Sequence, residues 1–506
     1  MRKGKFFYLP PMNSRKIFLL IASCFADVLA QTYPAYNADR SYTLRTLDYS
    51  PLLYRYHDIT TGDVPQSFYY PQVNLKFRDG WKLQQEGSHK GLPLLYWIAD
   101  DNSAMLAISP LLAFDVRGGK DLGDTIQSYE GGLFIRGYKD SIDFWLDARM
   151  FTERHSADPP RSWDREFLEN QGNKDIEGEV KYSSYSRYRG SLNVRTGFGN
   201  LGFVRDAPHW GPGYFSNLSL NQNAVPFNQM NFSTSIGPLT VISLYGDLRV
   251  DSHSMSTANL KSRNLYAHRY ELNFANTQIG INEITVLYDL NKPWLFVPIV
   301  PLFIEKGNYT EDANNGTLSF DFSQRLPLGF RVYSEFLLDD MESPASLIRN
   351  DNIEAKWAWM AGLAYAGNFG DFKAGSIAEY SRVEPYVYSH FHPNTAQIAH
   401  LGYPVGAPNG SNSQTINWLI YAKRKEAFQF QLGQEWAWKG TDYGSAVNDT
   451  TPTRDHMKIP KHFLKGAKMK YSLTPAISYG TLRYAIGAEY SFFDKNAFCS
   501  RVMLLW

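Results

Sequence analysis

The chain has 506 residues and a formal net charge of +1, a length that suits two or three ordinary domains or one large barrel. The near-neutral charge, with no basic patch above the background, argues against nucleic acid as a partner. Aromatic residues make up 15% of the chain and charged residues 20%, and the mean hydropathy is −0.37. A helical membrane protein would be far more apolar, whereas a membrane barrel exposes only every second strand residue to lipid.

The N-terminal segment has the pattern of an export signal. Arg15 and Lys16 precede an apolar run at 17–22, and Ala30 ends a small-residue cleavage pattern. We therefore predict a signal peptide over residues 1–30. The alternative is a lipoprotein signal that ends at Cys24. With Cys24 removed, Cys499 has no partner, so we expect neither a disulfide nor a cysteine-based metal site.

Residues 31–100 show no sustained period and predict a small N-terminal periplasmic segment. From about residue 103 onward, apolar and polar residues alternate with the period of a β-strand. In 330–336, for example, Arg331, Tyr333 and Glu335 share one face. The same alternation recurs in 192–196, 269–274, 318–323 and 428–436. At about 10 residues a strand, residues 101–506 predict a transmembrane antiparallel β-barrel of about 16–18 strands in the cell outer membrane.

A large soluble β-sandwich or propeller would also alternate. The export signal favours the membrane, and so do tryptophans placed for an interfacial girdle. These tryptophans are Trp294, Trp436, Trp438 and Trp506. The longest apolar run of the expected mature chain, 295–304, is about half of a membrane span and contains two prolines. It predicts a packed turn or a short interfacial segment.

The segment 202–227 carries the residues best suited to chemistry. Arg205 and Asp206 are adjacent opposite charges at a strand end, and 209–213, from His209 through Trp210, is a tight turn rich in Gly and Pro. A tryptophan can stack on a sugar ring while nearby amides bind its hydroxyl groups, and the amides here are Asn217 and Asn223. The alternative is that these residues only fix a corner between strand and loop.

The same segment resembles the Wzi family of outer-membrane capsule-assembly proteins. The matching features are Arg205-Asp206, Trp210-Gly211-Pro212-Gly213, Asn217-Leu218, Asn223-Ala224, Pro226-Phe227 and Gly237-Pro238-Leu239. Further similar positions are His268-Arg269, Glu283, Glu335, Asp339-Asp340, Glu379, Arg382, Glu384, His390 and His400. The resemblance runs from about residue 185 to 415.

The resemblance implies a barrel of about eighteen strands that is closed rather than open and binds capsular or related surface polysaccharide. It implies a lectin, neither a transporter nor a catalyst. The residues that would line the lumen, as a charge network or as ligand contacts, are His268, Arg269, Glu283, Glu335, Asp339, Asp340, Glu379, Arg382, Glu384 and His390. Opposite charges in such a lumen can pair and close it.

Other functions have weaker support. Pairs of carboxylates such as Asp339 and Glu379 can hydrolyse a glycosidic bond at the right separation, but no hydrolase or phosphate-binding motif is present, so we do not expect an enzyme. An outer-membrane porin for small solutes is the alternative function. His390 and His392 lack a third ligand, and we expect no metal or cofactor. A monomer is expected, with outer-membrane lipid around it.

Overall fold

The computed structural model describes residues 82–505, apart from 84–94, 100–102, 120–125, 156–172, 178–179, 223, 250–262, 275, 289–290, 310–313, 342, 350–354, 392–395, 425–427, 450, 452–459, 480–485 and 490–496. The predicted signal peptide 1–30 and Trp506 lie outside these residues. Of the predicted periplasmic segment 31–100, two short extended pieces and Ala99 are described.

Nearly all of the described secondary structure is β. The first strands are β1 (Lys82–Leu83), β2 (Leu95–Ile98), β3 (Ala104–Gly119), β4 (Ile126–Lys139), β5 (Ile142–His155), β6 (Asn173–Glu177), β7 (Val180–Thr196), β8 (Gly199–Asp206), β9 (Phe227–Ile236), β10 (Leu239–Leu248), β11 (Arg263–Asn273) and β12 (Thr277–Tyr288). The later strands are β13 (Asn314–Arg325), β14 (Phe330–Met341), β15 (Ala355–Phe369), β16 (Phe372–Val383), β17 (Ala399–His400), β18 (Tyr403–Pro404), β19 (Ser413–Arg424), β20 (Phe428–Lys439), β21 (Lys468–Tyr479), β22 (Ile486–Glu489) and β23 (Ala497–Leu505).

The strands close into an antiparallel barrel. Each wall strand pairs with the next along the chain, β5 with β7 and β16 with β19. β22 lies next to β23, and β23 pairs with β3 to complete the ring. Of the 23 described strands, β1, β2, β6, β17 and β18 extend or stand apart from this ring, which leaves eighteen wall strands. The predicted all-β barrel of 16–18 strands is thus confirmed.

The two faces of the wall differ as the period of two requires. In β5 the side chains of Asp143, Asp147 and Arg149 are at most 5% exposed, whereas those of Ile142, Leu146 and Met150, at alternate positions, are 45%, 39% and 74% exposed. The first set faces the lumen and the second faces outward. The exposed outward belt of Leu, Ile and Phe side chains is the surface that a bilayer would cover.

The two ends of the barrel also differ. Tight turns such as 140–141, 197–198 and 370–371 join strands at one end, here called the short-turn end. The connections at the other, long-loop end are longer, and several of them have twenty or more residues. In outer-membrane barrels the short turns face the periplasm and the longer loops face outside.

Helices are few and short. They are α1 (Leu302–Tyr309), α2 (Pro344–Arg349) and two 3-10 helices, Pro293–Phe296 and Pro327–Gly329. Within the described ranges, no helix is both long and apolar enough to cross a bilayer. The apolar run 295–304 forms one of the 3-10 helices, the start of α1 and the turn between them.

Candidate functional site

The connection between β8 and β9, residues 207–226, turns into the barrel instead of extending outward. We call it the first lumen loop. Its base is closed where the N–H of Trp210 donates to the carbonyl of Leu220 at 3.0 Å. The side chains of Trp210, Phe215, Leu218 and Leu220 are at most 3% exposed and pack against lumen-facing residues of the wall. The loop therefore shares an apolar core with lumen-facing wall residues such as Leu244 and Ile377, in a lumen that also contains buried charged and polar side chains.

Glu379 on β16 holds the tip of the first lumen loop. One carboxylate oxygen accepts the N–H of Tyr214 at 2.7 Å and the other accepts the N–H of Ser216 at 2.6 Å. The N–H of Phe215 reaches the same carboxylate, and the hydroxyl of Tyr333 donates to it at 3.0 Å. Glu379 is 2% exposed. Backbone N–H groups that would be unsatisfied in a buried turn are thus paired with a wall carboxylate.

Glu335 on β14 holds the next residues of the loop. Its carboxylate accepts the N–H of Leu218 at 2.7 Å and both the N–H and the hydroxyl of Ser219, at 3.1 and 2.7 Å. Ser319 on β13 donates a further hydrogen bond at 3.1 Å. Glu335 is completely buried. Two carboxylates on different strands therefore bind five N–H groups within residues 214–219 of the loop.

Asn217 organises the loop from within. Its Oδ1 accepts the N–H of Gly213 at 2.7 Å, and its amide nitrogen lies 2.6 Å from Nδ1 of His209. Gly211 allows the chain to bend here because its φ is +114°, a backbone angle that residues other than glycine rarely adopt. The chain bends at Gly211 and Pro212 within the segment 209–213, and the Asn217 side chain, predicted to bind sugar hydroxyls, binds the loop's own backbone.

Gly211→Ala is expected to loosen the first lumen loop. A Cβ at this position would lie 2.8 Å from Oδ1 of Asn217 and 2.9 Å from Oε2 of Glu335, on a backbone of positive φ. The strain costs about 1–3 kcal/mol. Limited digestion with chymotrypsin should cleave the loop about tenfold faster. Gly197→Ala is the control, because a Cβ there meets no atom within 4 Å; equal cleavage of both variants would contradict the prediction.

A second connection, residues 384–412 between β16 and β19, lies over the first. We call it the second lumen loop. Asp339 on β14 accepts the N–H of Tyr388 at 2.5 Å, and Lys356 lies 3.5 Å from the same carboxylate. The hydroxyl of Tyr388 donates to the carbonyl of Leu218 at 2.7 Å. The N–H of Asn221 donates to the carbonyl of Val405 at 2.7 Å. The two loops therefore form one packed layer.

Arg263 and His400 fasten the second lumen loop to the β11 side of the wall. Arg263 is 2% exposed and donates to the carbonyls of Ala399 and Arg249 at 2.8 and 2.7 Å. Nδ1 of His400 accepts the N–H of Arg249 at 3.0 Å. Burial, together with the guanidinium of Arg263, holds the pKa of His400 well below its ordinary value. The ring is therefore neutral, as its acceptor role requires.

A third connection, residues 440–467 between β20 and β21, caps the other two at the long-loop end. We call it the rim loop. Its Gly444 carbonyl accepts the N–H of Tyr386 at 3.0 Å. Lys461 lies 3.4 Å from the carboxylate of Glu384, which also accepts Nε of Arg382 at 2.7 Å. The rim loop thus rests on the second lumen loop, and the second rests on the first.

Below these loops, a charge network on the lumen face connects β11, β12 and β13. Arg269 donates from Nε to Glu271 at 2.7 Å and from its two terminal nitrogens to Asp321 at 2.5 and 3.1 Å. It also donates to Oδ1 of Asn282 at 2.7 Å. All four side chains are at most 5% exposed. Asn282 and Ser319 link this network to Glu335.

A second network, on β4 and β5, was not predicted. Arg149 pairs with Glu130 at 2.8 Å and with Asp147 at 2.6 Å, and all three are at most 5% exposed. Nearby, Asp206 lies 3.6 Å from Arg189. In the sequence, the charged residues Asp143, Asp147 and Arg149 fall at alternate positions, and this pattern could have predicted the network.

The structure places four of the predicted lumen residues on the outer face. Phe203 is 50% exposed and faces outward, so Arg205 two residues later does too, with its guanidinium 4.7 Å from the ring centroid of Tyr188. His268 and Glu283, which lie 4.0 Å apart, occupy outward positions of β11 and β12. Arg382 also projects outward, over the ring of Phe463 at 4.0 Å. The physical reason is the pleat, because neighbours in a strand cannot both face the lumen.

The remaining predicted residues have mixed surroundings. Asp340 follows a register shift in β14, is partly exposed and lies 3.4 Å from Lys356. His390 is 6% exposed beside Phe391, and His209 is half-buried. Trp210 is 3% exposed, so neither face of its ring is available for stacking on a sugar. Asn223 and His392 lie outside the described residues.

Comparisons with known proteins agree with this architecture. The solved structure of Escherichia coli Wzi, described as an outer membrane protein involved in group 1 capsule assembly and a carbohydrate binding β-barrel, aligns with a TM-score of 0.53 at 12% identity, over 78% of this chain and 83% of that one. OccAB2 of Acinetobacter baumannii aligns with a TM-score of 0.47 at 10% identity, over 80% of this chain and 98% of that one. Sequence comparison with curated proteins gives no match.

The family model "Capsule assembly protein Wzi" matches residues 175–409. This range contains the first lumen loop, nearly all of the second, and the wall residues Glu335, Asp339 and Glu379 that hold them. The resemblance noted in the sequence is thereby confirmed. Over residues 175–409, the chain is thus similar to the Wzi family of capsule assembly proteins.

Proposed function

We propose that this chain is an outer-membrane barrel that binds capsular or related surface polysaccharide and serves in its assembly or attachment at the cell surface. The observation that carries the proposal is the match over residues 175–409, because these residues contain the first lumen loop, nearly all of the second and the wall residues that hold them. The similarity to a carbohydrate binding barrel of Escherichia coli supports the same function.

The lumen loops argue against a porin. A diffusion pore needs a continuous water-filled path, whereas here the chain itself lies across the lumen with buried Phe215, Leu218 and Leu220 side chains. The wall carboxylates Glu335 and Glu379 are occupied by backbone N–H groups of the first lumen loop. They are thus engaged in holding a closed barrel, and we propose no catalytic role for them.

The rim loop is the surface on which we propose that the polysaccharide is held. Tyr443 is 78% exposed and offers the face of an aromatic ring beside fixed charges. Next to it, Asp442 accepts hydrogen bonds from the Tyr443 N–H at 2.9 Å and pairs with Lys465 at 3.0 Å. The bond to Lys465 is the largest of the contacts that lower the pKa of Asp442 to about 2. A sugar ring can stack on the tyrosine while its hydroxyl groups bind the charged pair.

Tyr443→Ala is therefore expected to weaken retention of surface polysaccharide. In a strain lacking the chromosomal gene, the intact protein should restore cell-bound polysaccharide, and the variant should release most of it into the medium. Binding of the purified polysaccharide to the variant should be about tenfold weaker, equivalent to about 1.4 kcal/mol.

Phe198→Ala is the matched control, because this aromatic side chain is 73% exposed at the short-turn end. It should restore retention fully. Full retention in a strain without the protein, together with large single-channel conductance of the purified barrel, would refute the proposed function in favour of a porin.

A further inference from the structure

Residues 291–309 lie against the outside of the barrel wall. We call this segment the outer flap; it contains the 3-10 helix Pro293–Phe296 and α1. Its Leu295 and Leu302 are each 1% exposed and pack with Tyr266 and Leu287, in a cluster separate from the core of the lumen. The flap is therefore attached to the wall face that is opposite the lumen loops.

Hydrogen bonds hold the flap along the height of β11. Near the long-loop end, the hydroxyl of Tyr266 donates to Asn291 at 3.0 Å. Four residues further along β11, toward the short-turn end, the hydroxyl of Tyr270 donates to the carbonyl of Pro298 at 2.6 Å. The N–H of Leu302 donates to the Glu283 carboxylate on β12 at 3.3 Å. The flap thus descends along the wall instead of projecting from its end.

The wall beneath the flap also contains polar groups. His268 is fully buried there, and Glu283 and Thr285 occupy outward positions on the neighbouring strand. Polar groups of this kind are costly in hydrocarbon unless they are covered and bonded. On the same strands toward the short-turn end, the outward residues are apolar and exposed. They are Leu272, Ile279 and Ile281, with Phe320 and Phe322 on β13, and their exposed fractions lie between 37% and 49%.

The outer side of the flap continues this apolar surface. Its large exposed apolar side chains are Trp294, Val297, Ile299, Phe303 and Ile304, with exposed fractions of 53%, 44%, 84%, 36% and 61%. Between residues 293 and 304 the other exposed residues are Pro293 and Pro301, whereas the polar Asn291 is exposed at the start of the flap. A loop that stood in water would be expected to expose polar residues, whereas this one covers a polar patch of the wall with an apolar surface.

The backbone of the flap is also suited to a medium without water. Pro293, Pro298 and Pro301 carry no N–H. Carbonyl groups of the flap itself accept four of its N–H groups at 2.9–3.1 Å, those of Leu295, Val297, Val300 and Glu305. In hydrocarbon each backbone polar group needs such a partner.

From these observations we propose that the outer flap lies within the membrane and binds lipid acyl chains, which extends the apolar belt of the barrel over the polar patch formed by β11 and β12. The occupant is lipid because the apolar side of the flap is continuous with the outward apolar residues of β11, β12 and β13. The flap is thus a membrane-inserted part of a connection at the long-loop end, and this role is independent of polysaccharide binding.

Spin labels on the full chain test this placement. Ile299→Cys and Ile304→Cys are each introduced with Cys24→Ser and Cys499→Ser, labelled, and reconstituted in phosphatidylcholine vesicles. Phe322→Cys on the outward wall and Tyr443→Cys on the rim loop are the reference positions. Only protein that migrates as a folded, heat-modifiable barrel on gels is measured.

Labels at both flap positions are expected to collide more often with oxygen than with a water-soluble nickel chelate. The label at Phe322→Cys, on the outward wall, should show the same preference for oxygen. The reverse order, matching Tyr443→Cys, would overturn the proposal in favour of a loop in water. Low collision rates with both agents, together with a spectrum broadened by the label on a neighbouring copy, would overturn the proposal in favour of contact between two copies of the chain.

Discussion

Glu379→Gln is expected to release the tip of the first lumen loop and to turn a closed barrel into a conducting one. The carboxylate accepts hydrogen bonds from three successive N–H groups, of Tyr214, Phe215 and Ser216. Glutamine replaces one acceptor oxygen with an NH₂ donor, which would face an N–H donor. A hydrogen bond to a charged group contributes about 1.5–3 kcal/mol, and each buried donor left without a partner costs about 1–3 kcal/mol.

Planar-bilayer recording measures the consequence. The unaltered protein is expected to show no sustained open-channel steps, and Glu379→Gln is expected to show frequent openings. Glu335→Gln should have a similar effect, because that carboxylate holds Leu218 and Ser219. The double variant should open more often than either single variant, because the loop then has neither of these wall carboxylates.

Asp371→Asn is the matched control for these substitutions. Its side chain is 62% exposed in a turn at the short-turn end and lies 3.8 Å from Arg424, so it should leave the barrel closed. Tyr333→Phe removes only one donor to Glu379 and should produce a smaller effect than Glu379→Gln. If the double variant conducts no more than Asp371→Asn, the carboxylates do not hold the lumen closed.

The alternation of polar and apolar residues predicts much of the wall. It places Arg331, Tyr333 and Glu335 on one face, and all three are buried in the lumen. It also places Arg269 opposite Tyr270. Side-chain direction in a strand depends only on parity, which the sequence contains directly.

The same rule shows why part of the predicted lumen set is misplaced. A strand cannot direct both His268 and Arg269 into the lumen, and it cannot do so for Arg205 and Asp206. In each pair the second residue faces inward, as Asp206 and Arg269 do at 1% and 2% exposure. The resemblance to a family identifies segments, whereas the pleat decides which residue of a segment reaches the lumen.

Loop positions depend on contacts that the sequence does not specify. Trp210 beside a Gly-rich turn suits either a sugar platform or a packed corner, and only the folded loop shows that its ring is buried. The network of Arg269 includes Glu271, two residues away along the chain, and Asp321, which is 52 residues away. The wall register brings Asp321 opposite Gly280, which leaves room for the guanidinium of Arg269.

Arg269→Met is expected to destabilise the barrel more than any substitution of an exposed charge. Arg269, Glu271 and Asp321 are paired with at most 5% of each side chain exposed. Without the guanidinium, two carboxylates remain close together in a buried site. Removal of one partner from such a network costs about 3–5 kcal/mol, because the remaining charges are neither solvated nor paired.

Urea unfolding in vesicles, followed by the gel mobility of the folded barrel, measures the free energy of unfolding. Arg424→Met is the control, since that arginine is 56% exposed and faces Asp371 across 3.8 Å; such surface pairs contribute about 0–1 kcal/mol. Adding Glu271→Gln and Asp321→Asn to Arg269→Met should recover part of the loss, because the buried charges are then neutral. Equal stability of Arg269→Met and Arg424→Met would show that the network does not stabilise the wall.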